Sequence, residues 1–551
     1  MNPVSRPLSS GASGADTAGR VSVAPPHPGG RLPLILLALW LLLAAPWRPL
    51  LLPDEGRYVG VAWEMLGSGD WLTPTLDGLP YFHKPPLMYW ITAAAMRLAG
   101  PVPLAMRAAP LVGAMLMALA LWIWTAAPVW GAQRERLRVT ALALLGSMPF
   151  FVLGSQYANH DMLVAGCVSL AVVLARRALD EEHAPLRWVT GAWVAAALAV
   201  LAKGLIGVVL PALVLLPWVL LRADRGRALA RLLHPAGLLA FALAGLPWFL
   251  AMQHLHPDFF DYFILEQHFR RYTQSNFNNR LPFWFYPVVL PLLTLPASLL
   301  LPAALRRLGR ASRAAAEASG PATALRHELW LALWWVVAVT GFFSLPKSKL
   351  VGYVLPTLAP WAVLLATAWV AQPLRRLRLA VGGGVLLCVL AVAGLTWKGP
   401  ANHADLAAAL AARLQPGDRV AYLGDAFFDL RLLAHASLAP AVIDDWEDPE
   451  IARGDSWRKE LRDTVRFAPA LGASRLWARD EAWRQRCAGG RLWLVRAPGA
   501  ALPPGFEDAR SVTVGRRGEL MQVEGPAPAR RCEAGAQVPA GSPPSISSPI
   551  R

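Results

Sequence analysis

Long apolar runs constrain this chain more than any other feature. Residues 32–52, 104–127, 204–221 and 381–397 carry few or no charges. A helix of about 20 such residues crosses a hydrocarbon core of about 30 Å. A soluble helix of that length would show a polar face. Only 16% of the 551 residues are charged, against about 25% in soluble domains. The chain is therefore expected to be an all-α polytopic membrane protein. Hydropathy places about eleven spans, up to thirteen. They begin near residues 33, 102, 139, 160, 189, 204, 235, 283, 329, 350 and 379. Residues 1–31, rich in Gly, Ser, Pro and Ala, read as a disordered cytoplasmic arm. The run after it is too long for a signal-peptide core and is read as the retained first span.

The net charge of +17 has two readings, nucleic acid or membrane topology. No basic segment is interleaved with stacking aromatics outside the spans, as single-strand binding would need. Instead the arginines gather between spans. The groups are Arg134, Arg136 and Arg138; Arg176, Arg177 and Arg187; Arg222, Arg225, Arg227 and Arg231; Arg306, Arg307, Arg310 and Arg313; and Arg375, Arg376 and Arg378. All five fall on one side if the N-terminus is cytoplasmic, as the positive-inside rule requires. The expected partner is the lipid bilayer of a bacterial inner membrane, not nucleic acid. The opposite, periplasmic side receives the loop 53–100, the turns at 159–161 and 203, the segments 254–282 and 344–349, and everything after Trp397.

After residue 399 the composition changes. Residues 405–414 and 457–467 read as helices, and 419–423, 492–496 and 511–514 as short strands. These suggest a small periplasmic α/β domain over 399–525, then a Pro/Ala/Ser-rich disordered tail over 526–551. Cys167 and Cys388 lie in apolar spans as packing residues. Cys487 and Cys532 lie in the polar region, where an oxidising compartment permits a disulfide that spacing does not prove.

Charged residues at a membrane surface need a reason. Those on the side that disfavours arginine and lysine form a short set of candidates. Asp54 and Glu55, with Arg57 and Tyr58, directly follow the first span. They read either as the start of a helix over 54–66 or as carboxylates facing a lipid-borne substrate. Tyr81, His83 and Lys84 precede Pro85-Pro86 and a helix over 87–98, where a cation at a helix start can hold a phosphate. Asp161 reads as a helix N-cap or as a second site carboxylate. Lys203 reads as a snorkelling lysine or a phosphate ligand. The segment with His268 and Arg271, then Arg280, offers guanidinium groups suited to phosphate; basic and aromatic interfacial anchors are the other reading. Lys347, Lys349 and Tyr353 divide between the same two readings. Many cations around two aspartates suit an anionic lipid phosphate better than a proton relay or channel.

Taken in order, these segments resemble the membrane glycosyltransferases of the GT-C type. The likeness is to the lipid A aminoarabinose transferases within the dolichyl-phosphate-mannose protein mannosyltransferase superfamily. It rests on Asp54-Glu55 with Arg57-Tyr58, Glu64-Met65-Leu66 with Ser68-Gly69-Asp70-Trp71, Tyr81-Phe82 with Lys84-Pro85-Pro86, Asp161, Lys203-Gly204, His268 with Arg271, Arg280 with Pro282-Phe283-Trp284, and Lys347 with Lys349-Leu350 and Tyr353. The resemblance implies a catalytic domain over 32–398 with juxtamembrane helices in its first loop. It implies inverting transfer of an aminoarabinose-like sugar from undecaprenyl phosphate to lipid A or another envelope acceptor. Asp54 would be the catalytic carboxylate and Asp161 the second acid, with Glu55 beside them. Lys84 and Arg271 would bind the carrier phosphate, in a site shared with Arg57, Tyr58, Tyr81, Lys203, Arg280, Lys347, Lys349 and Tyr353. His83 stands where an acidic residue is more usual, and with His268 it is the candidate pair for a divalent ion such as zinc. Two histidines are too few for a closed zinc site. Two other readings are a protein O-glycosyltransferase of the same fold and a transporter for a polyprenyl-linked glycan. The latter would need broken helices from two related halves, and no repeat is evident.

Overall fold

The computed structural model describes residues 28–180, 185–270, 279–317, 321–398, 402–524 and Cys532. The apolar runs become helices. Six of those described are long and apolar enough to cross a membrane: Ala108–Thr125, Leu186–Lys203, Arg225–Leu255, Ala322–Ser344, Val351–Trp369 and Leu374–Trp397. Two bent pairs raise this to eight. Of the eleven expected spans, the three outside this set are two that are short and His160–Ala178, which carries Asp161, Arg176 and Arg177. Pro149 and Pro296 lack a donor N–H and break the 3.6-residue ladder, bending one pair by 63° and the other by 110°. The single span expected near residue 283 is thus Phe285–Leu293 joined at an angle to Ala297–Arg313. Leu32–Ala44 and Ile206–Leu220 are apolar but short.

The helices pack through small residues, as bilayers favour. Gly113 of Ala108–Thr125 faces Gly166 of His160–Ala178. A Cβ on Gly166 would overlap the Gly113 carbonyl, and one on Gly113 would overlap the Met162 backbone.

The loop after the first span opens with the helix Asp54–Ser68, ended by Gly69 in the left-handed region (φ 74°). Asp77-Gly78 then make a two-residue hairpin turn, both with positive φ. Aspartate-glycine suits that geometry. Glu64 holds the turn, accepting from the Asp77 N–H (2.6 Å), the Gly78 N–H (3.0 Å) and the Thr75 hydroxyl (2.9 Å). Leu87–Ala99 follows, with Pro85-Pro86 before it.

Residues 402–524 build a six-stranded sheet with helices on it. Arg419–Leu423 lies parallel between Ala441–Ile443 and Leu492–Arg496. Gly518–Val523 and Arg510–Gly515 add an antiparallel edge. Ala421, Tyr422, Leu494 and Val495 are fully buried, as strands covered on both faces require. Cys487 is disulfide-bonded to Cys532.

This region sits directly on the Asp54–Ser68 helix. Gly56 and Gly60 lie one turn apart on it. A Cβ at Gly56 would come within 3.0 Å of the Asp429 side chain, and one at Gly60 within 3.1 Å of the Phe428 carbonyl. Arg431 pairs with Glu64 across the same contact. Nearby, Phe467 packs on Phe82 (4.8 Å between ring centres) and Tyr262 (5.3 Å).

Candidate active site

Asp54 is the first residue of its helix, next to the end of the first membrane segment. It does not cap that helix by a side-chain bond; Pro53 takes the cap position. Its carboxylate is free to turn outward. One oxygen accepts from Arg57 Nη2 (2.6 Å), one turn on, and the other from the Tyr157 hydroxyl (3.2 Å).

Glu55 faces the other way. It is 0% exposed and lines none of the cavities described here. Its oxygens accept from Arg48, from Arg107 (3.5 Å), and from the Leu51 (2.7 Å) and Ala158 (2.9 Å) N–H groups. A carboxylate so enclosed ties the first membrane segment to the chain before Asp161. Glu55 is thus turned away from Asp54, as adjacent residues on a helix point about 100° apart.

Asp161 lies in the first turn of His160–Ala178. The cap there is Asn159, whose side chain accepts from the Asp161 N–H (2.9 Å). The Asp161 carboxylate binds the Lys203 ammonium and the Asn159 amide (3.1 Å). It lies against Gly352, where a Cβ would overlap it. The Lys203 ammonium also stands over the Tyr353 ring at 4.6 Å.

These groups share one polar cavity of about 200 Å³. Asp54, Arg57, Tyr58, Tyr81, His83, Lys84, Asp161, Lys203 and Tyr353 all line it. They come from five separate stretches of chain: 54–58, 81–84, and those around Asp161, Lys203 and Tyr353. Beside it lies a second cavity of about 350 Å³, sharing Asp54, Asn159, Asp161 and Leu350 but walled by Phe150, Leu153, Leu293, Val351, Leu355 and Leu395. A polar chamber next to an apolar one matches an amphiphile: a charged head beside the carboxylates and a hydrocarbon tail among the leucines.

The remaining candidates lie elsewhere. Lys349 is 2% exposed and donates to the Leu281 (2.9 Å) and Pro346 carbonyls, so it fastens two loops together. Lys347 is exposed and does not line the cavity. Arg280 bridges by its backbone to Ser348. Arg271 lies outside the described residues, as does the side chain of His268.

Sequence reasoning missed Glu460. It comes from the helix Trp457–Val465 of the C-terminal region, lines the same cavity and binds Arg57. Its Oε1 is 3.9 Å from His83 Nδ1. Only burial in three dimensions reveals it, because it stands more than 400 residues from its partner. Burial alone lowers the proton affinity of the Arg57 guanidinium. Glu460, with smaller help from the tyrosines and Asp54, more than restores it and keeps Arg57 charged. Gln267 also lines the cavity and was not foreseen.

A divalent ion finds weak support here. His83 stacks flat on Tyr81 (4.7 Å, 7°) and meets one carboxylate. Among the described residues no three His, Cys, Asp or Glu side chains converge as metal ligands. Two ligands do not make a zinc site.

The family model for dolichyl-phosphate-mannose-protein mannosyltransferases matches residues 83–249. An undecaprenyl phosphate-alpha-4-amino-4-deoxy-L-arabinose arabinosyl transferase of Sodalis glossinidius is 37% identical over 343 residues, 60% of this chain and 57% of that one. The like-named protein of Yersinia enterocolitica is 31% identical over 384 residues, 67% and 66% of the two chains. The crystal structure of ArnT from Cupriavidus metallidurans bound to undecaprenyl phosphate superposes with a TM-score of 0.71 at 21% identity, over 89% of this chain and 97% of that one. The chain has the fold of ArnT. In sequence it resembles the aminoarabinose transferases. It spans between 57% and 66% of the length of these two curated relatives. In this multi-pass membrane protein Asp54 and Asp161 share one chamber with Arg57, Lys84 and Lys203.

Proposed function

We propose that the chain is a polyprenyl-phosphate-sugar-dependent glycosyltransferase. It moves an aminoarabinose-like sugar from undecaprenyl phosphate to lipid A or another envelope acceptor, with inversion. One observation carries this reading: Asp54 shares a polar cavity with Lys84 and Lys203, and that cavity adjoins an apolar one. The names of the relatives, which specify undecaprenyl phosphate and 4-amino-4-deoxy-L-arabinose, support the donor class.

The chemistry follows from charge. An acceptor oxygen attacks the anomeric carbon of the sugar. The bond from that carbon to the carrier phosphate oxygen breaks, and the phosphate leaves with the electron pair. Asp54 takes or orients the acceptor proton. Lys84 and Arg271 hold the departing phosphate, whose growing charge fixed cations stabilise. Lys203 holds the Asp161 carboxylate in place beside the sugar. No step runs through a metal ion.

The reading includes an arrangement in the membrane. About eleven spans, up to thirteen, cross the inner membrane. The site faces the periplasm, with the loop 53–100 and the domain 399–525 on that side; the five arginine-bearing loops support this orientation. The arm 1–31 lies in the cytoplasm, and the tail 526–551 follows the domain.

The test is mass spectrometry of lipid A from cells with and without the protein, and with Asp54→Asn. The expected result is a pentosamine adduct that appears with the native chain and vanishes with Asp54→Asn. Full transfer by a correctly inserted Asp54→Asn protein overturns the reading.

A further inference from the structure

Glu460 belongs to a region that the matched family segment, residues 83–249, does not reach. Its helix, Trp457–Val465, is opened by the Ser456 side chain, which accepts from the Lys459 N–H (3.4 Å). Leu461 and Thr464 are buried against the domain. The neighbouring charges are satisfied locally. Lys459 pairs with Asp463 (2.8 Å), and Arg458 with Asp444 and Asp448 (both 3.0 Å). Glu460 is the member of this helix whose charge crosses to the first loop, where both its oxygens bind Arg57 Nη1.

Arg57 therefore stands between two carboxylates. Nη1 goes to Glu460 and Nη2 to Asp54. The side chains of Arg57 and Glu460 are 12% and 15% exposed, while that of Asp54 is 28% exposed. An arginine with a single acidic neighbour tends to close on it with two parallel bonds. That fork would occupy both oxygens of Asp54 and offset its charge. Glu460 takes Nη1 and so removes the end-on fork of Nη1 and Nη2; Arg57 meets Asp54 through Nη2, on one oxygen. The other oxygen accepts from the Tyr157 hydroxyl at 3.2 Å.

We infer that Glu460 is a positioning residue: by holding Nη1 of Arg57 it fixes the guanidinium that binds Asp54, and so sets where the Asp54 carboxylate meets the acceptor. The C-terminal domain thereby completes the site instead of merely covering it. This rests on the glycosyl-transfer reading and deepens it. Glu460 touches neither sugar nor phosphate in this scheme, so its loss acts on the reaction step and not on donor affinity.

The experiment uses full-length protein in proteoliposomes, with undecaprenyl-phosphate-linked aminoarabinose as donor and lipid A as acceptor. The variants are Glu460→Gln, Glu460→Asp and Arg431→Gln, with Asp54→Asn in the same assay. Arg431→Gln breaks the neighbouring inter-domain ion pair, Arg431–Glu64, away from the cavity. For Glu460→Gln, kcat should fall about 10- to 100-fold, the scale of a small misplacement of a reacting group, with KM within about 3-fold. Glu460→Asp, which keeps the charge, should recover part of that loss. Arg431→Gln should lower the melting temperature and leave kcat within about 2-fold of native, since it breaks docking and not positioning. Unchanged kcat in Glu460→Gln beside an inactive Asp54→Asn overturns the positioning role alone. An equal fall of kcat in Arg431→Gln also overturns it, by showing that docking suffices. An active Asp54→Asn overturns the transfer reading itself.

Discussion

At the scale of single residues, environment separates groups that look alike in the sequence. Asp54 and Glu55 are adjacent acids. One turns to a chamber; the other is enclosed by Arg48 and Arg107. Glu55→Gln should cost about 3–5 kcal/mol, because it leaves buried guanidinium groups uncompensated. Thermal unfolding in detergent measures it, and a loss of transfer should follow only from the loss of folded protein. Asp77 gives a pH-dependent case. Its carboxyl is 3% exposed with Oδ2 unpartnered. Burial first, then the charge of Glu64, pushes it up to about 7. The folded chain therefore binds a proton that the unfolded chain, with an aspartate value of about 3.9, has released. Stability from this group is present at low pH and falls as pH rises from about 4 through 7. Asp77→Asn should flatten that slope, read as melting temperature against pH.

At the scale of elements, glycine placement decides which helices meet. Gly113 and Gly166 let the helices Ala108–Thr125 and His160–Ala178 approach to backbone contact. Gly166→Val should destabilise by about 3 kcal/mol or more, since no flexible side chain can yield there; folded yield after detergent extraction reports it. Gly56 and Gly60 do the same for the seat of the C-terminal region. Gly60→Leu should unseat that region and expose the Asp54–Ser68 helix to proteolysis, while the membrane helices remain intact. Proline acts in the opposite sense. It breaks spans that hydropathy counts as single, as at Pro149 and Pro296.

At the scale of the whole molecule, the site belongs to several distant stretches and to the C-terminal region, whose helix Trp457–Val465 brings Glu460 to it. Cys487 and Cys532 close a loop of 45 residues. Loop-closure entropy assigns such a bond about 4 kcal/mol. Cys487→Ser should lower the melting temperature of the C-terminal region by that stabilisation, without moving the transition of the membrane helices. If a single transition shifts as one, the two parts unfold together, and Glu460 then couples site integrity to domain stability.

The sequence alone determined the class and the alphabet of the site. Span starts, the strands Arg419–Leu423 and Leu492–Arg496, and the helix beginning at Asp54 follow from hydropathy and turn residues, which act locally. Asp54, Lys84, Asp161 and Lys203 stand out as candidates because a charge at a membrane surface is costly wherever it stands, and they line one cavity. The tertiary structure decided what those residues touch. It paired Asp161 with Lys203, turned Glu55 inward, assigned Lys349 to fastening loops, and brought Glu460 to Arg57. Pairing depends on distances between segments hundreds of residues apart, and neither hydropathy nor spacing encodes those distances. The long apolar runs thus state that the chain lives in a bilayer; the packing between them states which of its few charges can act.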